Sequence, residues 1–186
     1  MTDKFWDIDD VLAEQQKIPC FVSLDIPGYG FLDGNSSENL AKNTRVEMPF
    51  WLVYPMTVAD SVEIEIPACF SKRVTDDLST SAKSVNLNGL CPCFFYFGIK
   101  FVNLIEGIAL GKVLAEAFSE RLAEIMRYSQ SGRSYSKFIS FLDDTEKQIF
   151  QIGRESAHLM QMWSNGLCNN DKIQAARVLK KTNVKM

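Results

Sequence analysis

Residues 138–163, FISFLDDTEKQIFQIGRESAHLMQMW, carry the pattern that decides the fold. Phe138, Leu142, Thr145, Ile149, Ile152, Ser156, Leu159 and Trp163 recur at alternating spacings of four and three, which is the period of one helix face. Read without a break, the pattern predicts a helix of about 28 residues, or about 40 Å at a rise of 1.5 Å per residue. Phe141, Phe150, Met160 and Met162 widen the stripe beyond a two-stranded seam. Part of it must therefore meet another helix, in this chain or in a partner. The spacing leaves open which of Phe138, Leu142, Ile149, Phe150, Ile152, Leu159 and Trp163 serve an internal core and which serve a partner seam.

The sequence before this stretch is also helical. Ile108 to Tyr128 places Leu110, Leu114, Ala117, Phe118, Leu122 and Ile125 on one face, opposite Glu116, Glu120, Arg121 and Glu124. Leu90 to Leu104 holds Phe94, Phe95, Tyr96, Phe97 and Phe101, too many aromatics for one face, so this helix should be covered on most sides. The Gly107–Gly111 spacing indicates close helix packing at most.

Towards the N-terminus the texture changes. Five of the six prolines, Pro19, Pro27, Pro49, Pro55 and Pro67, precede residue 86. Charge divides at the same place: 7 basic against 14 acidic residues up to Asn86 give −7, and 13 against 9 beyond it give +4. Prolines at this density suit short strands and turns. Asp7 or Asp9 caps a short helix over 10–16 with Val11 and Leu12 facing inward, and Pro19 ends it. Cys20 to Leu24 is extended, and Pro27 to Leu40 reads as a turn and exposed loop. Arg45 to Met48 is a strand, and Pro49 occupies the first position of the following helix. Strict alternation over 62–66 predicts a strand with Val62, Ile64 and Ile66 covered and Glu63 and Glu65 in water. The polar run Ser79 to Ser84 reads as a linker. The expected fold is thus α+β and mainly α: a small β-rich domain over 1–84, then a larger all-α domain over 85–186 with a basic C-terminal tail.

Composition narrows the function without naming it. The chain has 186 residues, 46% hydrophobic and 23% charged, and a net charge of −3, in the range of ordinary globular proteins and against a whole-chain polyanion binder. Leu90 to Ile105 is interrupted by Pro92, Gly98, Lys100 and Asn103 and is too short for a membrane span. The first ten residues carry four aspartates and one lysine, unlike a signal peptide. Five scattered cysteines, Cys20, Cys69, Cys91, Cys93 and Cys168, read as reduced thiols.

No catalytic set emerges. His158 is the only histidine and has no second histidine to complete a relay or metal site. Cys91-Pro92-Cys93 is a C-x-C pair without zinc-ribbon spacing, and its bland reading is two small buried residues at a helix start. The pairs Asp9-Asp10, Asp76-Asp77 and Asp143-Asp144 point about 100° apart on a helix and read as solvated helix starts. Gly28-Tyr29-Gly30 lacks the rest of a dinucleotide fingerprint. The tail, with Lys172, Arg177, Lys180, Lys181 and Lys185 against Asp171, reads first as a solvated terminal helix and second as a contact for phosphate or an acidic partner.

Five segments in order resemble a known family. Phe5 to Leu12 leading to Lys17-Ile18-Pro19, then Val46-Glu47-Met48-Pro49-Phe50-Trp51-Leu52, resemble the N-terminal domain of the Psf-three subunits of the eukaryotic GINS complex. Phe94-Phe95-Tyr96-Phe97-Gly98, Phe150-Gln151-Ile152-Gly153 and Trp163-Ser164-Asn165-Gly166 are similar to landmarks of that subunit's helical domain. The motif positions are Pro49, Trp51, Phe95, Phe97, Gly98 and Gly153. The Gly28 to Asn43 loop and the Cys91–Cys93 pair match no landmark. The resemblance implies a non-catalytic nuclear scaffold without cofactor or metal. It would join three sister subunits in a heterotetramer that binds the Mcm hexamer and its Cdc-type companion factor to form the replicative helicase. Direct DNA contact stays open. The residues alone leave two alternatives, a generic interaction adaptor or a small metal or redox protein using Cys91 and Cys93.

Overall fold

The computed structural model describes residues 7–34, 38–131, 133 and 135–165. Phe5, Trp6, Gly166 and the basic tail Lys172–Lys185 lie outside them. Asp7 caps the first helix, α1 (Ile8–Glu14), by accepting from the Asp9 N–H at 3.2 Å. The helix starts two residues earlier than expected and rests on the opposite face. Ala13 is buried, while Ile8, Val11 and Leu12 are exposed. The face bearing Asp10, Ala13 and Glu14 turns inward: Ala13 packs into the main core, and Lys100 Nζ reaches Asp10 at 2.8 Å and Glu14 at 2.7 Å beside it.

Strand β1 (Lys17–Val22) is central in a three-stranded antiparallel sheet, ordered β4-β1-β5. It pairs with β4 (Arg45–Pro49) through Cys20↔Val46 and with β5 (Val62–Ile64) through Cys20↔Ile64. Pro19 sits inside this strand instead of ahead of it. Its carbonyl accepts from Glu65 N at 2.9 Å, so its donorless nitrogen also faces the β5 side, past the last paired residue of β5. The predicted loop after Pro27 is partly ordered: β2 (Ile26–Pro27) pairs with β3 (Asn39–Leu40) around a 3-10 turn at Gly30–Asp33, and Leu40 is buried. Ile66, expected on the covered face, is exposed, because β5 stops at Ile64 and Pro67 opens another 3-10 turn.

Helix α2 (Phe50–Val58) begins one residue after Pro49, which is its N-cap. The polar run read as a linker is helical: it is the end of α3 (Lys72–Ser81) and a 3-10 turn over Ala82–Ser84, with Ala82 fully buried. Asn86 then caps the single turn α4 (Leu87–Leu90), its side chain accepting from Gly89 N at 3.0 Å.

The aromatic segment forms α5 (Phe94–Ile105), with Phe94, Phe95, Phe97 and Phe101 buried and Ile99 exposed. Phe70 stands at the centre of the core, its ring 5.1 Å from Phe94, 5.4 Å from Phe97 and 5.4 Å from Phe101. Gly98 lets α6 (Ile108–Ser129) approach, since a Cβ there would lie 2.8 Å from Leu114 Cδ1. One hydrophobic core runs from Ala13 to Ala117, joining the sheet to the helices. A smaller one gathers Ile125, Leu142 and Phe150 with Tyr128, Phe138, Ile139 and Ile149.

The single long helix predicted over 138–163 is broken. Helix α7 (Ser136–Ile139) ends in a turn, and α8 (Asp144–Ser164) starts anew. The break has a local cause in Asp143 and Glu146, which form a capping box: Asp143 Oδ1 accepts from Glu146 N at 2.8 Å, and Glu146 Oε2 accepts from Asp143 N at 3.2 Å. The fold is α+β and mainly α, with a small strand-bearing N-terminal region before a larger helical part.

Candidate subunit interface and the clamp behind it

Arg121 was expected on the polar face of α6. It is buried, because it occupies the stripe Leu114, Ala117, Arg121, Ile125 at helical spacing and carries the ion pair that joins α6 to α8. Its Nε lies 2.7 Å from Glu146 Oε1 and its Nη2 2.8 Å from Oε2. Nη1 donates to the carbonyls of Ala82 at 2.7 Å and Val85 at 3.0 Å, and Nη2 reaches the Phe141 carbonyl at 3.4 Å. One guanidinium thus holds three chain segments. Asp143 completes the clamp: besides capping α8 it accepts from Phe95 N at 3.1 Å. It is fully buried rather than solvated, and desolvation pushes its carboxyl up to about 6, against the opposing pull of the Glu146 and Phe95 N–H groups.

Arg121 meets Glu146, and a Cβ on Gly153 would lie 2.6 Å from Ser129 Oγ. Helices α6 and α8 therefore run in the same direction, and α6 ends level with Gly153. Beyond that point α8 continues through Arg154–Ser164, eleven residues, or about 16 Å at 1.5 Å per residue. No residue of α8 after Phe150 is buried. Ile152 is 66% exposed, Leu159 63%, Met160 66% and Trp163 65%. They line an open groove with Met126 of α6.

The seven stripe residues are thereby sorted. Phe138, Leu142, Ile149 and Phe150 belong to the second core, while Ile152, Leu159 and Trp163 project with the end of α8. Among the motif positions, Phe95, Phe97 and Gly98 pack the main core, Gly153 seats α8 on α6, and Pro49 starts α2. Trp51 is exposed, as are Tyr54 and Val58 on the same helix. Large apolar side chains are thus left in water on two helices.

The chemical candidates are placed differently. His158 is exposed on the projecting end of α8. Cys91 and Cys93 are buried, and burial pushes the Cys91 thiol up to about 11 and the Cys93 thiol upward as well. Cys20 and Cys69 are likewise pushed up to about 12. A reactive thiolate needs the opposite shift. Among the described residues, no three of His, Cys, Asp and Glu gather to hold a metal ion.

The sequence reading missed the clamp, although two signals were there: a charged residue in register with an apolar stripe, and the Asp-x-x-Glu capping signature at Asp143 and Glu146.

The buried ionic chemistry of this chain holds its own segments together, and its helices leave large apolar side chains in water. The family model described as the PSF3 N-terminal domain matches residues 6–58, ending with α2. The chain is 30% identical over 173 residues to the DNA replication complex GINS protein PSF3 of Phaeosphaeria nodorum, covering 88% of this chain and 97% of that relative. It is 29% identical over 170 residues to the psf3 protein of Aspergillus fumigatus, covering 86% and 96%. Against the psf3 protein of Schizosaccharomyces pombe it is 29% identical over 165 residues, covering 87% and 97%. The chain belongs to the Psf3 family of DNA replication complex GINS proteins.

Proposed function

We propose that the chain is a non-catalytic structural subunit of a heterotetrameric GINS complex, acting in the nucleus with three sister subunits. Through that complex it helps to join the Mcm helicase ring and its Cdc-type companion factor into the active replicative helicase. The observation that carries this reading is the unpacked end of α8, where Ile152, Leu159, Met160 and Trp163 stand in water along one groove. Four such side chains together cost too much to leave exposed in a chain that works alone. Trp and Met are also residue types that anchor protein interfaces. In this reading the strand-bearing part, 1–84, and the helical part, 85–186, present separate docking faces, α2 on the first and α8 on the second.

Co-expression with the three sister subunits tests it. The expected product is a particle with one copy of each chain, while the chain expressed alone is poorly soluble. A monodisperse, stable monomer that captures no sister subunit would sink the proposal.

A further inference from the structure

From Ile125 to Leu142 the sequence holds Arg127, Arg133 and Lys137 and not one Asp or Glu. The fold gathers this segment into an aromatic row flanked by cations. The Arg127 guanidinium lies over the Tyr128 ring at 4.7 Å. Tyr128 stands 4.5 Å from Tyr135 and 4.7 Å from Phe138. Phe138 is 6.3 Å from Phe150, and the Arg154 guanidinium lies 6.0 Å over the Phe150 ring. Tyr128 and Tyr135 are half-exposed, and Arg127, Lys137 and Arg154 are exposed.

These cations are largely uncommitted. Arg127 reaches Glu124 at 3.1 Å, but Lys137 and Arg154 make no ion pair with any described carboxylate. Glu155, the acidic residue beside Arg154, faces Gln151 at 3.1 Å. Asp143 and Glu146 are buried and spent on the clamp, and the two carboxylates beside these cations, Glu124 and Glu155, are outnumbered by Arg127, Arg133, Lys137 and Arg154. This end of the molecule is therefore positive at its surface, although the whole chain is at −3.

We propose that it binds the phosphodiester backbone of single-stranded DNA, with Arg127, Lys137 and Arg154 neutralising phosphates and the Tyr128–Tyr135 pair offering a ring to a base. A guanidinium lying on an aromatic ring keeps its N–H donors at its edge, free for phosphate oxygens. Half-exposed rings set between cations are what unstacked bases use; an acidic polypeptide would gain nothing from them. None of these residues belongs to the basic tail.

The test uses the full chain assembled with its partner subunits and a labelled oligothymidine read by fluorescence anisotropy. The variants are R127Q/K137Q/R154Q, the pair R127Q/K137Q, which leaves the α8 groove intact, and a deletion of 166–186. Assembly is scored first by size exclusion. Loss of assembly in the triple variant bears on the scaffold reading alone, and the pair then carries the binding test. The proposal predicts salt-dependent binding that weakens about tenfold in the triple variant, severalfold in the pair, and survives the tail deletion. The slope of log affinity against log salt should flatten by about one for each cation removed. Unchanged affinity in the pair and the triple variant would overturn it. So would tighter binding to duplex, or preference for a labelled oligoglutamate over the oligonucleotide.

Discussion

Arg121 and Glu146, twenty-five residues apart on α6 and α8, form a bidentate ion pair with both side chains shielded from solvent, at 2.7 and 2.8 Å. Such a pair adds little net stability over a well-packed apolar replacement, yet losing one partner is strongly destabilising. Glu146→Gln should destabilise the chain by about 3–5 kcal/mol, because a buried guanidinium is left without its counter-charge. Arg121→Met combined with Glu146→Leu should recover much of that loss. Recovery will be incomplete, since the Ala82 and Val85 carbonyls lose their donor. Urea unfolding of the singles and the double checks the coupling; independent, additive effects would contradict it.

Asp143 gives the protein a pH dependence with a definite sign. Its folded value, about 6, lies above its ordinary 3.8, so the folded state holds the proton more tightly than the unfolded chain. The stability tied to that proton is complete below about pH 4 and is lost as pH rises through 6. The span corresponds to about 3 kcal/mol. Asp143→Asn removes the titration and keeps one accepting oxygen, enough for only one of the Glu146 and Phe95 N–H groups, a loss that does not depend on pH. The wild-type chain should therefore gain stability relative to this variant between pH 7 and pH 5, measured by thermal melting. A constant difference across that range would show that Asp143 does not titrate there.

Two glycines should respond unequally to alanine. At Gly98 the new methyl would meet the far end of Leu114, at 2.8 Å, which can rotate away. At Gly153 it would meet Ser129 Cβ at 2.9 Å as well as Oγ, and Cβ moves only with the α6 backbone. Alanine gains about 1 kcal/mol of helix propensity at either site. Overpacking of about 1–3 kcal/mol should outweigh it at Gly153 and not at Gly98. Chemical denaturation of both variants would reveal the order, and a reversed order would refute the packing argument.

Ile149 and Ile152, one turn apart, separate folding from assembly. Ile149→Asp places a charge against the second core and should cost several kcal/mol of stability. Ile152 is mostly in water, so Ile152→Asp should leave the melting temperature of the chain within about 0.5 kcal/mol equivalent of wild type. It should still weaken co-purification with sister subunits. Intact co-purification of Ile152→Asp would remove the α8 groove from the interface.

The elements that depend on one repeating pattern were legible in the sequence: α6 from its 3.6-residue period, α5 from its aromatic density, β4 and the start of α2 from Val46 to Trp51. The errors share a cause, which is that periodicity reports a face and not what covers it. Val11 and Leu12 lie outward because the other face of α1 is the one that docks, with Ala13 in the core and Asp10 and Glu14 on Lys100, 88 residues on from Leu12. The stripe from Phe138 to Trp163 kept its phase across a real break, since a capping box ends one helix and begins another without disturbing the spacing. Arg121 was assigned by its charge, and its place was decided by three carbonyls and a carboxylate from distant segments. The projecting residues Ile152, Leu159 and Trp163 look the same in sequence as the buried Leu142 and Phe150, because burial depends on where α6 stops.

The double hold of Lys100 on Asp10 and Glu14 reaches beyond the helix it orients. It pins α1 to α5, while the chain leaves the sheet for the helices by way of α3, so the sheet is tethered at both of its ends. A protein gripping Trp51 on one side and another gripping Trp163 on the other would be kept at a set distance and angle, as by a fixed strut.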